Sequence, residues 1–185
     1  MDNLKMLKKE ILEECPDLDV VIRSTDLSVP ENAYQFYEAL TILSSLFARD
    51  YKDAEGTQLI NVSSCGGYTI VPTAVTYCAA KFYVSTFTEG LAWELKEMGA
   101  KMKPKVLAPA ATKTEFGMVA NNVSEYDYDK FFGTYHTSKE MADFLLELYD
   151  SEKVVGLVDR ESFSFRLADP LFPYAGNSSH NQQSM

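Results

Sequence analysis

The 185-residue sequence predicts an α/β fold in which a parallel sheet is flanked by helices. Short apolar runs alternate with longer segments whose apolar residues recur at helical spacing, as in strands joined by crossover helices. Polar or proline-containing turns follow several of these runs. Hydrophobic content of 46% and charged content of 24% are ordinary for a globular domain. We therefore expect one domain over residues 1–176, followed by a disordered polar tail over 177–185.

The amino-terminal part predicts two helices separated by a strand. Apolar residues between positions 4 and 12 form a stripe at helical spacing, and Pro16 ends that helix. Residues 19–23 form a short apolar run typical of a buried strand. A Ser-Val-Pro-Glu signature at 28–31 starts a second helix that continues to about Asp50. The predicted buried face of this helix consists of Phe36, Leu40, Leu43 and Phe47.

The remainder predicts three more strands and two more helices. The strands cover residues 59–62, 104–108 and 154–158, the last being the final strand. The helices cover residues 73–97 and 138–150. The predicted buried side of the second of these consists of Met141, Phe144, Leu145 and Leu148.

Two aromatic segments leave alternatives open. Residues 115–136 hold seven aromatic or methionine side chains, which predict either a substrate lid or an apolar cluster under a loop. Residues 171–174 form an apolar tail that could dock on a second subunit.

One hydroxyl, one phenol and one ammonium group form the candidate site. Ser64 follows the predicted strand 59–62, while Tyr77 and Lys81 lie four residues apart on the next helix and so share a face. A nearby cation lowers the pKa of a phenol, which is about 10 in isolation. A tyrosine tuned in this way can exchange a proton with a carbonyl or alcohol oxygen. Ser64 could hold the same oxygen by a hydrogen bond.

This stretch resembles the active site of the short-chain dehydrogenase/reductase family. That family carries Ser at the end of one strand and Tyr-x-x-x-Lys on the next helix, and Gly67 matches its Ser-x-x-Gly turn. The resemblance implies a Rossmann-like sheet and hydride transfer between NAD or NADP and a carbonyl or alcohol substrate. It also implies that Tyr77 is the acid/base, that Lys81 lowers its pKa and holds the nicotinamide ribose, and that Ser64 orients the carbonyl.

The same resemblance implies further cofactor contacts. Asp26 matches an aspartate that contacts the adenine amino group. Pro109, Thr112 and Thr114 match the family's Pro-Gly-x-x-x-Thr turn, which grips the nicotinamide carboxamide. Ala110 stands where the family usually has glycine, so the backbone there is expected to be less free.

Two family segments are missing from the sequence. The sequence contains no Gly-x-x-x-Gly-x-Gly turn, the segment that lets the backbone approach the cofactor pyrophosphate. The Asn-Asn-Ala-Gly strand is absent near Ala39. A reduced sheet equivalent to strands 3-5-6-7 of the family is therefore expected. Its first strand either pairs with the Ser64 strand through a right-handed crossover or remains an exposed edge that invites association. The alternative is that the protein is a truncated, catalytically impaired relative of this family and serves as a non-enzymatic interaction protein.

The composition limits the classes of partner that are expected for this protein. A net charge of −10 argues against nucleic acid, and no apolar run reaches the ~20 residues that span a bilayer. Three cysteines without metal-ligand spacing favour reduced thiols in a cytoplasmic protein over a metal site, although Cys65 beside Ser64 could be reactive. The expected partners are a small carbonyl or alcohol substrate and further copies of the same chain.

Overall fold

A computed structural model of the protein describes residues 2–16, 20 and 30–176. The chain divides between Asp50 and Tyr51 into two compact units. The predicted strand 19–23 lies almost wholly outside the described residues, and so do Asp26 and the tail 177–185. Their predicted roles, and the prediction of a single domain over 1–176, therefore stay predictions.

The first unit holds two helices. Helix α1 spans Asp2–Glu14 and helix α2 spans Pro30–Tyr51, which confirms both predicted helices. The predicted inward face of α2 is wrong in part, because Leu43 is 58% exposed whereas Ser44 and Ala48 are buried. The buried stripe of this helix is thus shifted by one residue from the stripe that the apolar spacing predicts.

The second unit is the α/β fold that the sequence predicts, with additional short strands and helices. A strand at Phe165–Ala168 follows the expected final strand, so that expectation is wrong, and two short strands at Thr112–Lys113 and His136–Thr137 pair with each other. In chain order the elements are β1 (Gln58–Val62), a 3₁₀ turn (Cys65–Gly67), α3 (Val75–Glu97), β2 (Lys103–Ala108), β3 (Thr112–Lys113), α4 (Phe116–Asn121), α5 (Tyr128–Phe131), β4 (His136–Thr137), α6 (Ser138–Asp150), β5 (Val155–Val158) and β6 (Phe165–Ala168).

The main sheet has the order β1-β2-β5-β6. Strands β1, β2 and β5 run parallel, with Val62 opposite Leu107 at the end of the first pair. Strand β6 runs antiparallel to β5. The carboxyl ends of the three parallel strands therefore meet at one edge, which is where ligands bind in open α/β sheets.

Helices α3 and α6 cover opposite faces of this sheet. The amide of Asn61 on β1 donates to Thr88 Oγ1 on α3 at 3.0 Å, and Asn61 is paired with Val106 in register. Lys105, whose side chain points the other way from that of Val106, reaches α6. Across the sheet, β1, β2 and β5 lie side by side in the same order as along the chain, so both crossover connections move in the same direction. Two such connections on opposite faces of the sheet have opposite hands. One of the two connections therefore departs from the usual right-handed rule.

Among residues 2–16 and 30–176, no helix combines the length and the apolar character that crossing a bilayer requires.

A buried lysine fastens α6 to the central strand. Lys105 is 1% exposed, and its Nζ donates to the carbonyl oxygens of Leu148 at 2.7 Å, Tyr149 at 2.9 Å and Ser151 at 2.5 Å. These are the carbonyls at the end of α6, where a cation also interacts favourably with the helix dipole. Burial lowers the pKa of Lys105.

We predict that Lys105→Met destabilises the protein by about 3 kcal/mol, because it leaves buried carbonyl oxygens without a donor. Urea denaturation followed by circular dichroism measures the change. Lys103→Met is the matched control on the same strand, since it removes only an exposed ion pair with Glu152 and should change stability little. Equal effects of the two substitutions would contradict the role assigned to Lys105.

Candidate functional site

Ser64 lies at the carboxyl edge of the parallel strands. Its Oγ accepts a hydrogen bond from Gly66 N at 3.1 Å and so caps the 3₁₀ turn that follows β1. Ser63 N donates to Leu107 O, and Cys65 N donates to Pro109 O, each at 2.8 Å. The turn that carries Ser64 is therefore fixed to the end of β2 by backbone bonds on both sides.

Gly67 allows this turn to approach α3 closely. A Cβ atom at Gly67 would lie 2.4 Å from Ser63 Oγ, 2.5 Å from Ser85 Oγ and 2.8 Å from Lys81 O, all far inside contact distance. Ser63 Oγ donates to Lys81 O at 2.9 Å and lies 2.7 Å from Ser85 Oγ. The glycine in the Ser-x-x-Gly pattern is thus required by packing and not by an unusual φ angle.

The structure brings Ser64, Tyr77 and Lys81 together. A Cβ atom built on Gly66 would lie 3.3 Å from Tyr77 Cε1 and 3.5 Å from Ser64 Oγ, so these two side chains meet over that glycine. Lys81 Nζ lies 5.9 Å from the centroid of the Tyr77 ring and donates to Val62 O at 3.3 Å. Hydroxyl, phenol and ammonium groups therefore share one edge of the sheet.

The electrostatics of Tyr77 differ from the prediction. Burial raises the pKa of Tyr77, and this effect outweighs the hydrogen bond with Ser64, which lowers it. The expected lowering by Lys81 is wrong for this arrangement, because the ammonium lies over the ring and donates to Val62 O. Burial also lowers the pKa of Lys81. Since Tyr77 is still 40% exposed, the phenol remains accessible to a ligand.

The predicted carboxamide turn follows β2 directly. Thr112 Oγ1 donates to Ala110 O at 3.1 Å, and Thr114 Oγ1 accepts from Phe116 N at 3.1 Å. Both hydroxyls therefore shape the turn, whose start is tied to the Ser64 turn through Pro109 O. Ala110 is not among the residues with positive φ, so the expected restriction from replacing glycine does not arise.

The aromatic segment after this turn forms a packed cluster. Tyr126 stacks on Phe131 at 4.8 Å and meets Tyr128 edge-on at 4.9 Å between ring centroids. The buried Tyr128 hydroxyl accepts from Gly117 N at 3.0 Å and donates to Thr114 O at 3.2 Å. These contacts support the cluster alternative and anchor α4 at the site.

Phe116 is a site residue that the sequence reasoning did not single out. It lies at the start of α4, 61% exposed, with its ring centroid 6.4 Å from that of Tyr77. Phe116 lies two residues after Thr114, and this position was the signal in the sequence that could have identified it as a site residue.

A second unforeseen residue is Glu89 on α3, which is buried. Its carboxylate accepts from the Tyr68 hydroxyl at 2.6 Å and from the backbone N–H groups of Leu171 and Phe172 at 2.7 and 2.9 Å. Burial, reinforced by Glu89, raises the pKa of Tyr68 far above its ordinary value. The backbone of the apolar tail is thus bonded to its own chain, and docking of this tail on a second subunit stays a prediction.

Two cavities lie near the sheet, at different places. One of about 710 Å³ is lined by Cys65, Tyr68 and the end of β5, next to the turn that carries Ser64. Another of about 580 Å³ is lined by residues before and at the start of β2, including Trp93 and Lys101. Ser64, Tyr77 and Lys81 line neither, so the larger cavity adjoins the site through Cys65 without containing these three side chains.

Similar proteins include several oxidoreductases. An uncharacterized oxidoreductase of Schizosaccharomyces pombe is 28% identical over 99 residues, which is 52% of this chain and 39% of that protein. Dehydrogenase/reductase SDR family member 11 of Homo sapiens is 30% identical over 90 residues, which is 48% of this chain and 34% of that protein. Each match spans less than two-fifths of the relative's own length.

Solved structures share the fold. A short-chain dehydrogenase from Sphingobium yanoikuyae in complex with NADPH has a TM-score of 0.57 at 22% identity, covering 75% of this chain and 54% of that one. ElxO with NADP bound has a TM-score of 0.50 at 18% identity, covering 86% and 73%. These likenesses confirm the Rossmann-like α/β fold.

The family itself is shown by a sequence profile. The profile described as short chain dehydrogenase matches residues 2–125. That range extends from α1 through β1, α3 and β2 to the turn after α4, and so includes every element that positions Ser64, Tyr77 and Lys81. Because the match covers more than half of the 185 residues, the chain belongs to the short-chain dehydrogenase family.

Proposed function

We propose that this protein is an NAD(P)-dependent oxidoreductase that transfers hydride between a nicotinamide cofactor and a carbonyl or alcohol substrate. The observation that carries the proposal is the convergence of Ser64, Tyr77 and Lys81 at the carboxyl edge of the parallel strands. Membership of the short-chain dehydrogenase family supports the same reaction class. In addition, relatives are named oxidoreductases, and one structural neighbour was solved with NADPH.

The described residues fit the nicotinamide–ribose end of such a cofactor. Within the described part of the chain, Lys81 Nζ has a single long hydrogen bond, to Val62 O at 3.3 Å, so its other donors are available to ribose hydroxyls. The turn from Pro109 to Thr114 lies beside the Ser64 turn and would face the carboxamide. Asp26 is the proposed adenine contact, and the bound cofactor would supply or accept the hydride.

The side chains divide the proton chemistry between them. In carbonyl reduction, the Tyr77 hydroxyl donates its proton to the carbonyl oxygen while Ser64 Oγ–H donates a hydrogen bond to the same atom. Because burial raises the pKa of Tyr77, the phenol holds its proton at neutral pH and is ready to donate it. Lys81, whose Nζ lies 5.9 Å from the ring centroid, is assigned to the nicotinamide ribose and not to the phenol.

The compartment and the assembly are also proposals. We infer a cytoplasmic protein because Cys15, Cys65 and Cys78 are all free thiols. We infer a homo-oligomer because β1 is an edge of the main sheet in the described part of the chain.

We predict that Tyr77→Phe lowers kcat by about 10²- to 10⁴-fold and leaves cofactor affinity nearly unchanged, since it removes only the proton donor. Oxidation of NADH and NADPH at 340 nm with a panel of aldehydes and ketones measures turnover. Tyr149→Phe, the same change at an exposed position on α6, is the control and should keep full activity. An active Tyr77→Phe variant would show that another group donates the proton.

We also predict micromolar binding of NADH or NADPH that Lys81→Ala abolishes, because the ammonium would be the main contact to the ribose. Isothermal titration calorimetry with both cofactors measures this. Lys96→Ala removes an exposed ammonium from the same helix, where it lies over Trp93, and should leave affinity unchanged. No binding of either cofactor at millimolar concentration would instead favour the non-enzymatic interaction protein.

The pH dependence follows from the Tyr77 environment. Alcohol oxidation needs the phenolate, so kcat/KM should rise with pH and level off only above the raised pKa of Tyr77, beyond the usual value of about 10. Because the hydrogen bond with Ser64 lowers that pKa, Ser64→Ala should move the rising limb to still higher pH. A limb that stays in place, or moves to lower pH, would contradict this assignment.

A further inference from the structure

The cavity of about 710 Å³ begins where the candidate site ends. It is lined by Cys65, the residue after Ser64, and by Leu157 and Val158 at the end of β5. Leu157 belongs to the buried cluster against which Cys65 and Tyr68 pack. A molecule whose carbonyl lies at Ser64 can therefore extend over Cys65 into this space.

One wall of the cavity is aromatic and firmly held. Tyr68 and Phe172, which both line it, stack at 5.3 Å with their rings 15° from parallel. Both residues hydrogen-bond to the buried Glu89, the first through its hydroxyl and the second through its backbone N–H. This wall is preorganised for a flat or apolar part of a ligand.

Two arginines also line this cavity. Arg166 pairs with Leu157 in register, and therefore points to the same face of the sheet as the Cys65–Tyr68 cluster. Arg160 lies two residues beyond the end of β5. In the stretches 2–16 and 30–176, neither guanidinium forms a side-chain hydrogen bond or an ion pair. The whole chain has four arginines and a net charge of −10, so two of the four lie at this one cavity.

The acidic residues that line the same cavity do not occupy these arginines. Asp159 Oδ1 accepts from Glu161 N at 3.1 Å and from Ser162 N and Ser162 Oγ, each at 2.8 Å. These bonds are the main cause of its lowered pKa, and Arg166 contributes least. Glu161 also lines the cavity and is exposed. The guanidinium N–H groups therefore remain available to a ligand.

We propose that this cavity binds the anionic group, a carboxylate or phosphate, of a substrate whose carbonyl lies at Ser64 and Tyr77. Arg160 and Arg166 hold the anion, since a planar guanidinium matches the geometry of both groups. Tyr68 and Phe172 pack against the apolar part between the anion and the carbonyl. The substrate class is thus an aldehyde or ketone that carries an apolar part and, beyond it, a carboxylate or phosphate. This inference rests on the proposed function.

Protection of Cys65 from alkylation tests the cavity without requiring turnover. The full-length protein is treated with iodoacetamide in the presence of 4-carboxybenzyl alcohol, benzyl phosphate or benzyl alcohol, and each cysteine is followed by peptide mass spectrometry. We expect the two anionic probes to protect Cys65 at about tenfold lower concentration than benzyl alcohol. Whichever anion protects at lower concentration identifies the preferred group. Cys15 is exposed just after α1 and should react with iodoacetamide at the same rate in the presence of every probe, which makes it the internal reference.

Substitutions assign the effect to the arginines. The double variant Arg160→Met, Arg166→Met should lose the tenfold preference for the anionic probes, whereas Arg49→Met, which removes an exposed arginine outside the cavity, should retain it. Arg166→Lys keeps the charge and should lose part of the preference, because the bidentate geometry is gone. Circular dichroism confirms that each variant is folded.

Reduction of 4-carboxybenzaldehyde against benzaldehyde separates this inference from the proposed function. A higher kcat/KM for the carboxylated aldehyde, abolished in the double variant, supports both. If neither aldehyde is reduced but anionic protection of Cys65 persists and depends on the arginines, the proposed function fails and the anion site stands. Equal protection by charged and uncharged probes, or protection unchanged in the double variant, overturns the inference even if both aldehydes are reduced.

Discussion

The contact between the Ser64 turn and α3 determines the geometry of the rest of the site. Gly67 lies so close to Ser63, Lys81 and Ser85 that no side chain fits at its position. The turn is fixed on one side by backbone bonds to the end of β2 and on the other by Ser63 against α3. As a result, the turn after β1 and the helix that follows it in the chain present their polar groups to the same volume. The reactive geometry is therefore a product of packing at one glycine.

Burial has opposite consequences for the polar groups of this unit, depending on their partners. Lys105 and Glu89 are almost inaccessible, yet each has three hydrogen-bond partners and joins segments that are far apart in sequence. Tyr77 is partly buried with one favourable hydrogen bond, so desolvation dominates and the phenol is held neutral. The prediction of a lowered pKa was based on the charge of Lys81 alone. The sequence does not show how far Tyr77 is desolvated or where the Lys81 ammonium lies relative to the phenol oxygen. Those two quantities depend on coordinates, and a spacing of four residues does not provide them.

Much of the fold could be predicted from periodicity and turn chemistry. Helices α2 and α6 and strands β1, β2 and β5 lie within two residues of their predicted bounds, since their apolar patterns are long or sharply ended. Strand β6 was missed although Phe163, Phe165 and Leu167 alternate with polar residues, because the stretch is short and follows a strand already assigned as final. The buried face of α2 was misplaced because small residues, Ser44 and Ala48, occupy it instead of the larger Leu43. The juxtaposition of Ser64, Tyr77 and Lys81 followed from local spacing, whereas the position of Arg166 depends on the pairing of β5 with β6, a strand that was not predicted.

The attachment of the carboxyl-terminal segment to Glu89 has a consequence for which residues can occupy that segment. Both anchoring donors are main-chain amides, at Leu171 and Phe172, and the two flanking positions are Pro170 and Pro173, which have no amide hydrogen to offer. The carboxylate thus binds two main-chain N–H groups, and these two bonds do not depend on side-chain identity at 171 and 172. Evolutionary drift at these two positions is compatible with the anchor for nineteen of the amino acids and incompatible with proline alone.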